Sequence, residues 1–218
     1  MNALIVADGD IPPRAAFERL MPGPEADLVV AADGGALKAT ALGLRPHVVV
    51  GDADSLTAAE AERLRAAGAE VVIHAAAKDE SDTELALREA IDRGAQSVLI
   101  IGAFGGARLE HTIANLLLLC LPELEGRDVR MADGSSTVRL LEGGGTLTLE
   151  GEPGDFVSLL PLTPIATGVT TSGLAFPLAD EPLHQGPARG LSNVMAGTTA
   201  SVTARSGRLL VVHTRIDR

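Results

Sequence analysis

Short apolar runs alternate with helix-like segments over the first 133 residues, and this alternation limits the possible folds more than any other feature of the chain. The predicted strands are Ala3–Ala7, Leu28–Ala31, His47–Val50, Glu70–Ile73, Ser97–Ile101 and Val129–Ala132. Thr57-Ala58-Ala59-Glu60 and Ser81-Asp82-Thr83-Glu84 match capping boxes, which open helices. Repeated strand–helix alternation predicts a parallel α/β sheet of Rossmann-like type, with helices on both faces.

The periodicity and composition of the sequence change at about Asp133, where the helical periodicity ends and Gly, Pro and Thr become frequent. Short alternating runs follow, at Thr146–Leu149, Phe156–Leu160, Thr199–Thr203 and Arg208–His213. Ser206-Gly207 between the last two runs predicts a tight hairpin turn. We therefore predict an α/β domain over residues 1–133 and an all-β sandwich over residues 134–218.

Acidic side chains follow the third predicted strand. Asp52 and Asp54 stand one residue apart directly after Val48–Val50 and Gly51. Ligands of open α/β sheets bind at the carboxyl ends of the strands, and two close carboxylates are relieved of their repulsion by a hard cation such as Mg²⁺. Asp82, at the start of the second capped helix, is expected at the same edge. Asp and Gly also end strands as ordinary turn residues, so the pair alone leaves both interpretations open.

Basic and glycine-rich segments follow other predicted strands. Lys78 would either pair with the nearby acidic residues or reach a phosphate. The loop Gly102–Glu110 can present backbone N–H groups to an anion, and its Arg108 can bind phosphate oxygens bidentately. An apolar helix is predicted over His111–Leu121. Asp33-Gly34-Gly35 after the second strand has the same two interpretations, as a plain turn or as part of a phosphate site.

Composition removes several classes of function. The formal net charge is −11, and Trp and Tyr are absent, which disfavours nucleic-acid and anionic-membrane partners. The single cysteine, Cys120, fits a reducing compartment, and no basic leader or bilayer-length apolar run occurs. We therefore expect a cytoplasmic protein.

The four polar segments in this order resemble the thiamine pyrophosphokinase family. They are Ala32–Ala36, Gly51–Ser55, Lys78–Ala86 and Gly102–Asn115. The resemblance continues through Gly168–Thr170, Ser172–Leu178 and Gly190–Asn193, so that it covers nearly the whole chain. It implies transfer of a diphosphate group from ATP to the hydroxyl of thiamine, with AMP as the other product.

The resemblance also implies roles for individual residues. Mg²⁺ would be held by Asp52, Asp54 and Asp82, and Lys78 and Arg108 would contact phosphate. The residues that match the nucleotide-binding segments are Asp33, Gly34, Gly35, Gly51, Ser55, Gly105, Gly106, His111 and Asn115. Thiamine would stack on Phe176 and meet Ser192 and Asn193, in a β-domain that also forms a homodimer interface.

Two positions depart from the family pattern. Glu110 stands before His111 where Asp is usual, and Phe176 stands where Trp is common; Trp is the stronger cation–π partner. The alternatives are a diphosphokinase acting on a hydroxymethylpterin-type alcohol, a phosphoaspartyl hydrolase with Asp52 as nucleophile, and a non-catalytic nucleotide-binding protein.

Overall fold

A computed structural model describes residues 1–21, 26–52, 57–75 and 79–216. The chain divides into two compact units, Met1–Gly134 and Ser135–Arg218. Within the described ranges, we find no helix with the length and apolar character needed to cross a membrane.

The first unit is built on six parallel strands. They are β1 (Asn2–Val6), β2 (Leu28–Ala32), β3 (Val48–Asp52), β4 (Glu70–His74), β5 (Ser97–Ile101) and β6 (Asp128–Ala132). The helices are α1 (Arg14–Leu20), α2 (Gly35–Ala41), α3 (Ala58–Ala66), α4 (Asp82–Asp92) and α5 (Leu109–Leu118), followed by a short 3₁₀ turn at Pro122–Leu124. The strands lie in the order β6-β5-β1-β2-β3-β4, and every neighbouring pair is parallel.

The central strands of this sheet are buried along almost their whole length. Leu4, Val30 and Val49 are fully or almost fully inaccessible, and so are their strand neighbours. Continuous burial of β-branched and aliphatic residues is typical of a parallel sheet covered on both faces. The predicted alternation of strands and helices is therefore confirmed for this unit.

The direction of winding reverses between β1 and β5. The chain adds β2, β3 and β4 on one side of β1 and then places β5 on the other side. The loops that follow β1 and β5 consequently leave the sheet side by side. A crevice at the carboxyl ends of the strands forms at such a point, and ligands of α/β proteins bind there.

Side-chain caps mark the starts of α3 and α4, whereas α1, α2 and α5 begin without a capping hydrogen bond from a side chain. The predicted capping box is formed at Thr57, whose hydroxyl accepts from the N–H of Glu60 while the Glu60 carboxylate accepts from the N–H of Thr57. Helix α5 begins at Leu109 rather than His111 and ends at Leu118, so the predicted start was two residues late. Arg108 is its N-cap residue and makes no capping hydrogen bond through its side chain, which is why no capping signal marked this start.

The second unit consists of antiparallel strands in two groups. The strands are β7 (Ser136–Glu142), β8 (Thr146–Glu150), β9 (Phe156–Pro161), β10 (Ile165–Ser172), β11 (Glu181–His184), β12 (Asn193–Val194), β13 (Thr199–Thr203) and β14 (Arg208–Thr214). One group has the order β12-β9-β14-β7 and the other β11-β10-β13-β8. Both groups contribute to one core, with Val157 and Leu209 from the first and Val169 and Val202 from the second.

The predicted hairpin at Ser206-Gly207 is wrong. Strand β13 pairs with β8 and β10, whereas β14 pairs with β7 and β9, so the two strands do not pair with each other. The turn residues instead carry the chain from one group of strands to the other. Gly207 has a φ of 87° and passes so close to the backbone of Ile165 and Ala166 that a Cβ would collide with it.

Candidate active site

A pocket of about 370 Å³ lies at the carboxyl edge of the sheet in the first unit. Its wall is formed by the turns that follow β1, β2 and β5 and by the first residues of α4 and α5. The lining residues are Asp8, Gly9, Ala32, Asp33, Ser81, Asp82, Thr83, Gly102, Ala103, Gly105, Gly106, Ala107, Arg108, His111 and Asn115. The pocket thus includes the crevice where the winding reverses.

Close packing of two backbone segments forms the floor of the pocket. The N–H of Gly9 donates to the carbonyl of Gly102, and the N–H of Asp10 donates to the carbonyl of Phe104, both at 2.7 Å. A Cβ on Gly9 would collide with those two carbonyl oxygens, so only glycine permits this approach. The turn after β1 and the glycine-rich loop after β5 therefore form one bonded unit.

Lys38 fastens the same turn from helix α2. Its ammonium group donates to the carbonyl oxygen of Gly9 at 2.6 Å and to that of Asp8, and it lies 3.0 Å from the Asp8 carboxylate. Neither Asp8 nor Lys38 is among the site residues predicted from the sequence. The signal available for Asp8 was its position directly after a predicted strand, but this signal did not distinguish a site from a turn.

Asp33 adopts a strained backbone conformation at the edge of the pocket. Its φ of 51° lies in the left-handed region, which a non-glycine residue adopts at a cost, although Asp tolerates it better than most. The conformation is held by hydrogen bonds from the N–H of Asp33 to the carbonyl of Val50 and from the N–H of Ala36 to the carbonyl of Asp33. Strain of this kind accumulates at functional sites.

The start of helix α4 places an acidic residue in the pocket. Ser81 is the N-cap residue, and its hydroxyl accepts from the N–H of Glu84 at 3.2 Å, so Asp82 is the first helical residue as predicted. The second hydrogen bond of the predicted capping box would run from the N–H of Ser81 to the Glu84 carboxylate. That carboxylate instead accepts hydrogen bonds from the Arg88 guanidinium. Thr83, which sequence reasoning did not select, is nearly buried beside Asp82 and also lines the pocket.

Helix α5 contributes three predicted residues to the pocket wall. Arg108 donates to Glu110 at 2.7 Å, and this hydrogen bond is the main reason that the pKa of Glu110 lies below its usual range. The pair is largely exposed and contributes little stability, so Arg108 can exchange its partner for a phosphate at small cost. His111 lies in the first turn of the helix, and Asn115, one turn further, is buried and donates to the carbonyl of Ala103 at 2.8 Å.

Not every predicted residue reaches this pocket. Asp33, Asp82, Gly105, Gly106, Arg108, His111 and Asn115 line it, whereas Gly34, Gly35, Gly51 and Asp52 do not. Asp52 is the last residue of β3 and is half-buried. Asp54, Ser55 and Lys78 lie outside the described residues. Over the part of the chain that is described, no group of three or more His, Cys, Asp or Glu side chains forms a metal cage.

The three residues predicted to meet thiamine lie together in the second unit. Phe176 is 64% exposed, and its backbone is hydrogen bonded to the side chain of Asn193. Ser192 has a left-handed φ of 57°, and its N–H donates to the hydroxyl of Ser158. Among the described residues, Ser192 and Asp33 are the two non-glycine residues of the predicted site with a positive φ.

Two family models match the chain in succession. The model described as "Thiamin pyrophosphokinase, catalytic domain" matches residues 23–131, and that described as "Thiamin pyrophosphokinase, vitamin B1 binding domain" matches residues 146–209. The chain belongs to the thiamin pyrophosphokinase family. The resemblance seen in the motifs is thereby confirmed.

Relatives from this family are similar to the chain over most or all of its length. The thiamine pyrophosphokinase of Bacillus subtilis (strain 168) is 24% identical over 188 residues, which are 86% of this chain and 87% of the relative. The crystal structure of thiamine pyrophosphokinase from Bacillus subtilis has a TM-score of 0.84 at 25% identity, with 99% of each chain covered. That of a thiamin pyrophosphokinase family protein from Enterococcus faecalis has a TM-score of 0.82 at 28% identity and covers both chains fully.

Proposed function

We propose that this chain is a thiamine diphosphokinase, which transfers the diphosphate group of ATP to the hydroxyl of thiamine and releases AMP. The observation that carries the proposal is that the two family models, catalytic and vitamin B1 binding, match one after the other along the chain. ATP is the co-substrate of the reaction. The pocket at the winding reversal is the nucleotide site, in the first unit, which acts as the catalytic domain of Rossmann-like type.

Transfer of a phosphoryl-type group depends mainly on positioning and on neutralising charge. The glycine-rich loop and the turn that carries Gly9 supply a rigid wall of backbone against which a triphosphate can be held. Arg108 contacts phosphate oxygens after leaving Glu110, and Lys78 supplies a second positive charge. His111, Asn115, Ser55 and the glycines of the matching segments complete the nucleotide contacts.

Mg²⁺ is part of the proposal, with Asp52, Asp54 and Asp82 as its protein ligands. Carboxylate oxygens are the donors that Mg²⁺ prefers, and in ATP sites it is bound by one or two carboxylates together with substrate phosphates rather than by a protein cage. When bound, the ion would neutralise negative charge on the triphosphate. Asp54 or Asp82 orients the thiamine hydroxyl.

The second unit binds thiamine and forms a homodimer in this proposal. Phe176 offers an exposed aromatic face to the cationic thiazolium, with Ser192 and Asn193 beside it. Phe156 and Leu160 lie on the outward side of β9 and are also substantially exposed, so they are available for the dimer contact in this proposal. The expected location is the cytoplasm.

The competing functions have less support. A hydroxymethylpterin diphosphokinase and a non-catalytic nucleotide-binding protein do not account for the match to a vitamin B1 binding domain over residues 146–209. A phosphoaspartyl hydrolase does not account for either match.

The decisive experiment measures AMP release from ATP and Mg²⁺ in the presence of thiamine or of 6-hydroxymethylpterin. The proposal predicts AMP formation that depends on thiamine and is absent with the pterin. AMP release with the pterin alone would favour the alternative diphosphokinase. Binding of ATP without any AMP release with either alcohol would contradict an enzymatic function.

A further inference from the structure

The backbone of Phe176, the most exposed aromatic residue of the second unit, is held by the side-chain amide of Asn193. The Nδ2 of Asn193 donates to the carbonyl of Phe176 at 2.6 Å, and the N–H of Phe176 donates to the Oδ1 of Asn193 at 3.0 Å. These two hydrogen bonds reproduce the pairing that a neighbouring strand would supply. Phe176 lies in the irregular segment between β10 and β11, where no strand provides that pairing for it.

The flanks of this segment are anchored independently of Asn193. Leu174 forms a β-bridge with Met195, and both side chains are buried. The N–H of Ala175 donates to the carbonyl of Val194 at 2.8 Å. On the other side, the buried Leu178 forms two hydrogen bonds with Thr171. The N–H of Leu178 donates to the Oγ1 of Thr171, and the N–H of Thr171 donates to the carbonyl of Leu178. Between these anchors, the N–H and the carbonyl of Phe176 are both hydrogen bonded to the Asn193 amide.

Most of the hydrogen-bonding capacity of the Asn193 side chain is used within the protein, so little remains for a ligand. Its Oδ1 also accepts from the N–H of Val194 at 2.9 Å, so both lone pairs of that oxygen are occupied. One of the two Nδ2 hydrogens is used on the carbonyl of Phe176. The three partners also fix which end of the amide is oxygen and which is nitrogen.

We propose that Asn193 is a positioning residue for thiamine, which acts by holding the backbone of Phe176 so that its ring presents a fixed stacking face. The inference rests on the proposed function and deepens it, because the family resemblance suggested that Asn193 meets the substrate itself. A rigid aromatic platform binds more tightly than a mobile one because less conformational entropy is lost on binding.

A double-mutant cycle tests this inference. The variants are Asn193→Ala, Asn193→Asp, Phe176→Ala and the double variant Asn193→Ala with Phe176→Ala. Phe176→Ala is expected to raise the KM for thiamine about 3- to 30-fold, from the strength of cation–π contacts. Asn193→Ala should raise it in the same direction, and the double variant should be no worse than Phe176→Ala alone. The KM for ATP and the kcat at saturating thiamine should stay unchanged.

Two further variants separate positioning from folding. Asn193→Asp keeps the shape and the acceptor oxygen but cannot donate to Phe176, so it should also raise the thiamine KM. Thr203→Val is the control, because it removes only the side-chain hydrogen bond between Thr146 and Thr203 elsewhere in the same unit. It should leave both KM values at the wild-type level, and thermal unfolding of each variant verifies that it is folded.

The results that would overturn the inference differ from the result that would overturn the proposed function. An unchanged thiamine KM in both Asn193 variants would overturn the inference, and so would a double variant whose loss equals the product of the two single losses, since Asn193 would then contact thiamine directly. A wild-type protein that forms no AMP would instead overturn the proposed function.

Discussion

The hydrogen bond from Asn115 to Ala103 links helix α5 to the glycine-rich loop, and its removal should weaken both the fold and the nucleotide site. The two atoms are 2.8 Å apart, Asn115 is 7% exposed, and Ala103 is 2% exposed. Asn115→Leu keeps a side chain of similar size but leaves the carbonyl of Ala103 buried without this donor. A buried polar group that loses its partner costs about 1–3 kcal/mol, which is the expected loss in the free energy of unfolding.

Urea unfolding of the whole chain measures that loss, and Gln96→Leu provides the matched control. Gln96 is an exposed amide before β5, so the same chemical change there should alter stability by less than about 0.5 kcal/mol. Because Ala103 lines the pocket, Asn115→Leu should also raise the KM for ATP while leaving that for thiamine unchanged. Equal stability of the two variants would mean that the hydrogen bond from Asn115 to Ala103 does not stabilise the fold.

Asn115→Asp adds a test by pH. At neutral pH its carboxylate cannot donate to the carbonyl, whereas the protonated acid can. Repulsion by that carbonyl and burial raise the pKa of the introduced group. The variant should therefore regain part of its stability relative to wild type as the pH falls, and a deficit independent of pH would contradict the role assigned to this bond.

Three other predictions concern the metal site, the pocket floor and the second unit. Asp52→Asn and Asp82→Asn should each lower turnover about 100-fold or more at low Mg²⁺ without unfolding the chain, and full activity in either would remove that residue from the metal site. Gly9→Ala should cost about 1–3 kcal/mol and weaken ATP binding because its Cβ meets two carbonyl oxygens, whereas Gly197→Ala, which has open space, should be near neutral; equal effects would refute this packing argument. Burial opposes ionisation of Asp155, but hydrogen bonds from the N–H groups of Glu152 and Ile216 and from His213 outweigh it and hold its pKa below the usual range. The stability this gives is present above the unfolded pKa of about 4 and is lost as the pH falls through the folded value. Asp155→Asn should flatten the acid limb of the unfolding curve, and an unchanged slope would contradict this assignment.

The features predicted best from the sequence are those encoded locally. The capping box at Thr57 and the N-cap at Ser81 are satisfied within three residues, so their geometry follows from the neighbouring sequence. Ser206-Gly207 does fall in the connection between β13 and β14, although the predicted hairpin is wrong. Turn residues contain no information on which strands pair, however, and β13 and β14 find partners far away in the chain.

The parts of the candidate site that were missed are non-local. Asp8 and Gly9 enter the pocket only because β5 is placed beside β1, about ninety residues later in the chain. The order of strands in the sheet, not the local sequence, brings the turn after β1 onto the glycine-rich loop. The hydrogen bonds between Asn193 and Phe176 likewise join residues 17 positions apart in the chain, and no short motif encodes them.

In the proposed reaction, the chain moves two phosphates together from ATP to thiamine. Phosphorus NMR or mass spectrometry of a reaction with ATP, Mg²⁺ and thiamine identifies every phosphorylated product. AMP and thiamine diphosphate should form in equal amounts, as this proposal requires. Formation of ADP with thiamine monophosphate, or ATP hydrolysis that leaves thiamine unmodified, would contradict it.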